Sequence, residues 1–127
     1  MPTKVLVADD SDIVRRAIRQ LFQEHPEIEL VGEATGFEET IQMANDLKPQ
    51  VVLMDVYMNR DNGDSLTDIV SKLNACTSPI VAISIFNDEQ TKKLAESFGA
   101  VTLLDKMELS DILIPTIQKF AVPHANL

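Results

Sequence analysis

Four short apolar runs in this chain each stop on a charged or hydroxyl residue. Val5-Leu6-Val7-Ala8 meets Asp9-Asp10, and Val51-Val52-Leu53-Met54 meets Asp55. Ile80-Val81-Ala82-Ile83 meets Ser84, and Val101-Thr102-Leu103-Leu104 meets Asp105-Lys106. Apolar runs of this length, separated by helix-period segments, predict strands of a buried parallel sheet. In an open α/β sheet the chemistry lies at the carboxyl ends of the strands, so these polar residues are expected to converge on one edge.

Between the runs the period changes. Strand one is expected over 3–8. Val14, Ile18, Leu21 and Phe22 then form one helical stripe with Ser11 as N-cap, stopped by His25-Pro26. Residues 28–32 alternate and predict a strand nearer the sheet edge. Phe37, Ile41, Ala44 and Leu47 mark a second helix, ended by Lys48-Pro49. The third strand is expected over 50–55, a polar loop over 56–63 and a third helix on Leu66, Ile69, Val70 and Leu73. The fourth strand is placed at 79–84. A helix follows, capped by Asn87 with Gln90 in a weak capping box, and ends near 98 with Gly99 as its C′ residue. The last strand is expected over 100–104 and the last helix over 109–121. Pro115 predicts a kink there, or a helix that begins near it. Five βα units fill the chain, and right-handed crossovers put helices on both faces of the sheet.

The length, 127 residues, fits one domain, with a core at about 3–121 and a tail over 122–127. One cysteine, Cys76, excludes an internal disulfide and fits a reducing compartment. The N-terminus leads straight into a strand, and no apolar run approaches the roughly 18 residues of a membrane span. The expectation is a soluble cytoplasmic domain with no membrane contact. The net charge of −9 weighs against direct nucleic-acid binding by this chain. Lys92-Lys93 reads as a solvated helix face.

The predicted edge suits phosphoryl chemistry. Asp9, Asp10 and Asp55 repel one another when brought together unless a cation intervenes. Asp55 is the candidate nucleophile, and a carboxylate attacks phosphorus poorly until its repulsion with the donor is relieved. Mg2+ takes oxygen ligands and needs only one or two carboxylates. Asp10, Asp55 and the Tyr57 backbone carbonyl are the expected ligands, with Asp9 acting through water; Mn2+ is the alternative ion. Lys106 supplies a positive charge toward the phosphoryl oxygens, on the order of 4 kcal/mol at ~4 Å before desolvation. Ser84 supplies a hydrogen bond to the same group.

These residues carry a family resemblance from Lys4 to about Phe120. An acidic pair after strand one, an aspartate ending strand three, a hydroxyl ending strand four and a lysine after strand five resemble a response regulator receiver domain of bacterial two-component signalling. Gly63, eight residues past Asp55, fits the same pattern. Val-Gly-Glu-Ala and Val-Val-Leu-Met-Asp, within Glu27–Asp55, are similar to receivers of the nitrate-regulator type, which carry a C-terminal helix-turn-helix domain. The resemblance implies a flavodoxin-like (βα)5 doubly wound sandwich, strand order 2-1-3-4-5, and a phosphoacceptor at Asp55. It implies a sensor histidine kinase or phosphotransfer protein as donor. It implies a downstream protein or a C-terminal output domain as reader, with a homodimer as a further form. Output is expected through the face of the fourth helix, fifth strand and last helix.

Several positions depart from the family pattern. Asn59 stands where proline is common, which implies a more mobile acceptor loop. Leu103 replaces a common aromatic switch residue, Met107 a common proline, and Ile85 a small residue, so that Ile85 narrows access to Asp55. Tyr57 and Phe86, two residues past Asp55 and Ser84, are placed to slow hydrolysis of an aspartyl phosphate, unless Phe86 simply packs on the sheet. Two other readings compete: an interaction module that is never phosphorylated, and a Mg2+-dependent phosphohydrolase. The second is disfavoured by Asp55-Val56-Tyr57, which lacks the second aspartate of an Asp-x-Asp pair. The chain is therefore expected to act as a signalling domain rather than an enzyme, catalysing only its own phosphorylation and dephosphorylation.

Overall fold

The computed structural model describes residues 2–58 and 65–123. Strands β1 (Thr3–Ala8), β2 (Ile28–Ala34), β3 (Val51–Asp55), β4 (Ile80–Ser84) and β5 (Ala100–Asp105) form one parallel sheet in the order β2-β1-β3-β4-β5. They alternate with α1 (Asp12–Gln23), α2 (Phe37–Leu47), α3 (Leu66–Asn74), α4 (Glu89–Ser97) and α5 (Leu109–Phe120). This is the flavodoxin-like arrangement that the resemblance implied.

Every residue of β3 and β4 is buried, because helices cover both sheet faces. Side chains alternate across the sheet. Leu6, Val52, Met54 and Ala82 face α2, α3 and α4, where they meet Phe37, Ile69, Leu73 and Phe98. Val5, Leu53, Val81 and Ile83 face α1 and α5, where they meet Ile18, Phe22, Leu113 and Ile117. The Phe37 and Phe98 rings lie 5.3 Å apart and join α2 to the end of α4.

Beyond one-residue shifts at several element ends, the structure differs from the sequence expectations in three places. β2 continues to Ala34, because Glu33 is held by Arg15 and Arg19 of α1 rather than released to solvent. Asp88, not Asn87, caps α4: its carboxylate accepts from the Thr91 amide at 3.2 Å. α5 runs from Leu109 to Phe120 with Pro115 inside it rather than beginning beside that residue. Burial of Leu113, Ile114 and Ile117 on both sides of the proline offsets the lost backbone bond. Ser11 caps α1 as expected, accepting from Val14 N at 3.3 Å.

Gln50 ties the far edge of the sheet. Its side chain accepts from Lys4 N at 3.0 Å and donates to the Val122 carbonyl at 2.7 Å. The backbone after α5 is therefore held at the amino end of β3, away from Asp55 at its carboxyl end.

Gly99 follows α4 at φ +84°, and a Cβ there would lie 2.8 Å from the Asn74 side-chain oxygen. Gly99→Ala is expected to cost about 1–2 kcal/mol, read as a lower urea midpoint with unchanged slope. An unchanged midpoint contradicts this account of the α4–β5 turn.

Candidate metal and phosphoacceptor site

The carboxyl ends of β1, β3, β4 and β5 bring the predicted residues to one edge. Asp9 directly follows β1, and Asp55, Ser84 and Asp105 are the last residues of their strands. Lys106 opens the 3-10 turn Lys106–Glu108 after β5. Asp9, Asp55 and Ser84 are buried, whereas Asp10 is exposed. One carboxylate oxygen from each of Asp9, Asp10 and Asp55 lies within 4.8 Å of the others.

Lys106 is the cation in this crowd. Its Nζ lies 2.7 Å from Asp9 Oδ2 and 3.3 Å from Asp55 Oδ2, with its side chain only 12% exposed. Burial acts to lower the Lys106 pKa, but bonding to Asp9 and the charges of Asp55 and Asp9 outweigh it and hold the ammonium above its usual range. Burial raises the Asp55 pKa above the usual carboxylate range. The Tyr57 amide, which donates to Asp55 Oδ1 at 3.1 Å, and Lys106 counter that rise only in part, while Asp9 adds to it. One lysine thus offsets the crowded acids incompletely. An all-oxygen donor set carrying this residual negative charge fits a hard divalent cation.

Asp9 has its other oxygen engaged, since Oδ1 accepts from Ser11 N at 2.8 Å. Asp55 is engaged in the same way, through the Tyr57 amide and Lys106, whereas Asp10 is exposed. Ser84 Oγ accepts from Phe86 N at 3.0 Å, a bond that leaves the hydroxyl hydrogen available to an incoming oxygen.

The rim is apolar. Tyr57 and Phe86 make an edge-to-face pair with centroids 5.8 Å apart, and Phe86 is 55% exposed. This corrects the alternative in which Phe86 packs on the sheet. Ile85 is itself 60% exposed. Leu103 is half-buried against the α2–α4 side of the core and lines a groove of about 490 Å³ with Phe86 and Ala95. Asn59 and Gly63 lie outside the described residues.

Two participants escaped the sequence reading. Thr91 is fully buried, bonded through Oγ1 to Asp88 and at 2.7 Å to the Tyr57 hydroxyl, so it connects the acceptor loop to α4. A threonine three residues after a capping aspartate was the signal for it. Arg15, four residues after the Ser11 cap, reaches back to the carbonyl of Asp9; the Val-Arg-Arg run gave no sign of which arginine turns inward.

Among curated proteins, the chain is 36% identical over 120 residues to the transcriptional regulatory protein PdtaR of Mycobacterium tuberculosis, covering 93% of this chain and 56% of that protein. It is 40% identical over 103 residues to protein-glutamate methylesterase/protein-glutamine glutaminase 3 of Geobacter sulfurreducens, covering 81% of this chain and 27% of that protein. The chain thus spans only part of the curated relatives it matches. Among solved structures, the response regulator domain of Thermotoga maritima CheB superposes with a TM-score of 0.80 at 23% identity, covering 97% and 100% of the two chains. The signal receiver domain of NarL from Mycobacterium tuberculosis also gives 0.80, at 18% identity over 93% and 94%. At these identities the two structures speak for the fold alone. The family model for the response regulator receiver domain matches residues 5–118, from within β1 to within α5, and the chain belongs to that family.

Proposed function

We propose that Asp55 accepts a phosphoryl group from a phosphohistidine of a sensor kinase or phosphotransfer protein, with Mg2+ or Mn2+ bound beside it. The observation that carries this reading is the placement of Lys106 between Asp9 and Asp55 at the edge where three carboxylates meet. Asp10, Asp55 and the Tyr57 carbonyl would hold the cation, with Asp9 contributing through water. When bound, the cation neutralises charge between the acceptor carboxylate and the phosphoryl oxygens.

The transfer balances simply. An Asp55 carboxylate oxygen forms a bond to phosphorus as the P–N bond breaks, and the electron pair goes to the imidazole nitrogen. Lys106 and the Ser84 hydroxyl bind the phosphoryl oxygens. In hydrolysis, water attacks phosphorus and the Asp55 oxygen leaves with the bonding pair. Tyr57 and Phe86 crowd that approach. The chain signals rather than turning over a separate substrate, and its product, an acyl phosphate, carries about −1.5 to −2 charges at a buried site where the carboxylate carried one.

Residues 1–127 act as a single receiver domain. A partner or an attached output domain reads it through the face of α4, β5 and α5, which also serves a homodimer. Direct nucleic-acid binding is not assigned to this chain, whose net charge is −9. The setting proposed is cytoplasmic; among the described residues no helix is long and apolar enough to cross a membrane.

Incubation with acetyl phosphate and Mg2+ is expected to add one phosphoryl mass to the intact chain, and chelation of the metal or Asp55→Asn to abolish it. No adduct on the folded wild type contradicts the reading and favours an interaction module that is never phosphorylated. Phe86→Ser, alone and with Tyr57→Ser, is expected to shorten the adduct's half-life; an unchanged half-life removes the aromatic pair from the mechanism.

Burial places the folded-state pKa of Asp55 above its unfolded value. Its contribution to stability is therefore largest at low pH, where it is protonated, and is lost as pH rises through the folded value. Metal-free Asp55→Asn is expected to melt a few degrees above wild type at pH 7, with the gap closing on acidification. A lower melting temperature for the variant at pH 7 contradicts that sign.

A further inference from the structure

Arg15 has no part in the chemistry above, yet its side chain is only 11% exposed. Taking a guanidinium out of water is costly unless its donors are paired, and here each of its three nitrogens has a partner. Nη1 donates to the Asp9 carbonyl at 2.6 Å, Nε to Glu33 Oε1 at 3.3 Å, and Nη2 to the Asp12 carboxylate. Glu33 is fixed in turn by Arg19, whose Nε and Nη2 lie at 2.9 and 2.8 Å. The fork is thus braced from β2 and from α1.

What it holds is specific. The Asp9 carbonyl belongs to the peptide that joins Asp9 to Asp10. The other side of Asp9 is already fixed, because its amide donates to the Ala34 carbonyl at 3.0 Å and Oδ1 accepts from Ser11 N at 2.8 Å. Asp10 is exposed, so its carboxylate direction depends on the backbone from which it springs.

We propose that Arg15 is a positioning residue: by gripping the Asp9–Asp10 peptide it aims the Asp10 carboxylate at the cation shared with Asp55. This rests on the reading of the acidic cluster as a divalent-cation site. It concerns geometry rather than charge, and the two make opposite predictions. Loss of a nearby positive charge favours binding of a cation. Loss of the brace disfavours it, and supporting residues behind metal ligands are typically worth 10- to 100-fold in affinity. Lysine keeps the charge but cannot reproduce a planar fork spanning Asp9, Asp12 and Glu33.

The test is calorimetric titration of Mg2+ into the full chain as wild type, Arg15→Lys, Arg15→Gln and Glu33→Gln, with thermal melts and amide exchange at Asp10 and Ser11 alongside. Both Arg15 variants are expected to bind Mg2+ about 10-fold more weakly or worse, with faster exchange at those amides. Glu33→Gln, which removes one brace and leaves Arg15 in place, is expected to show a smaller loss in the same direction. It keeps the inference testable should the Arg15 variants fold poorly. Unchanged affinity in Arg15→Lys, tighter binding in Arg15→Gln, or a lowered melting temperature with wild-type affinity overturns the inference. A wild-type chain that gives no Mg2+ binding heat overturns the site reading itself, and this inference with it.

Discussion

Three carboxylates brought within 4.8 Å of one another at the end of a buried sheet, against one ammonium, set the terms for this molecule. The arrangement costs stability, since burial and the Asp9 charge both disfavour ionised Asp55. It persists because β3 and β4 are buried along their whole length and the strand ends are held in register, with Met54 beside Ala8 and Ile83 beside Asp55. The core thereby stabilises a site that is short of positive charge.

Much of this was legible in the sequence for one physical reason. A parallel strand buried on both faces must be apolar along its length, so its first polar residue marks both where it ends and which edge carries the chemistry. Asp9, Asp55, Ser84 and Lys106 were found in that way. What escaped depends on contacts between distant segments. Glu33 looked like a residue beyond the end of β2 because nothing local shows that Arg15 and Arg19 come to meet it. Asn87 and Asp88 are both competent caps, and the choice fell to Asp88, whose carboxylate meets the amide and hydroxyl of Thr91. Pro115 is tolerated inside α5 because the buried side chains around it hold the helix to the sheet.

The route out of the site follows from the same geometry. The Tyr57 backbone touches Asp55, and its hydroxyl reaches Thr91 at the start of α4. Phe86 stacks edge-to-face on Tyr57 and donates its amide hydrogen to Ser84 Oγ. Leu103, in the place where an aromatic was expected, lines the groove between α4 and β5 rather than bonding to either loop. One chain of bonds thus runs from Asp55 through Tyr57 to Thr91 of α4, and Phe86, bonded to Ser84, packs against the Tyr57 ring.

The central claim is that Asp55, among the three clustered aspartates, takes the phosphoryl group. Borohydride reduces an acyl phosphate to an alcohol, so treating the phosphorylated chain and mapping the reduced residue by peptide mass spectrometry reads the position directly. The account predicts reduction at Asp55 alone, dependent on Mg2+. Reduction at Asp9 or Asp10, or at none of the three in a chain that has taken up phosphate, contradicts it.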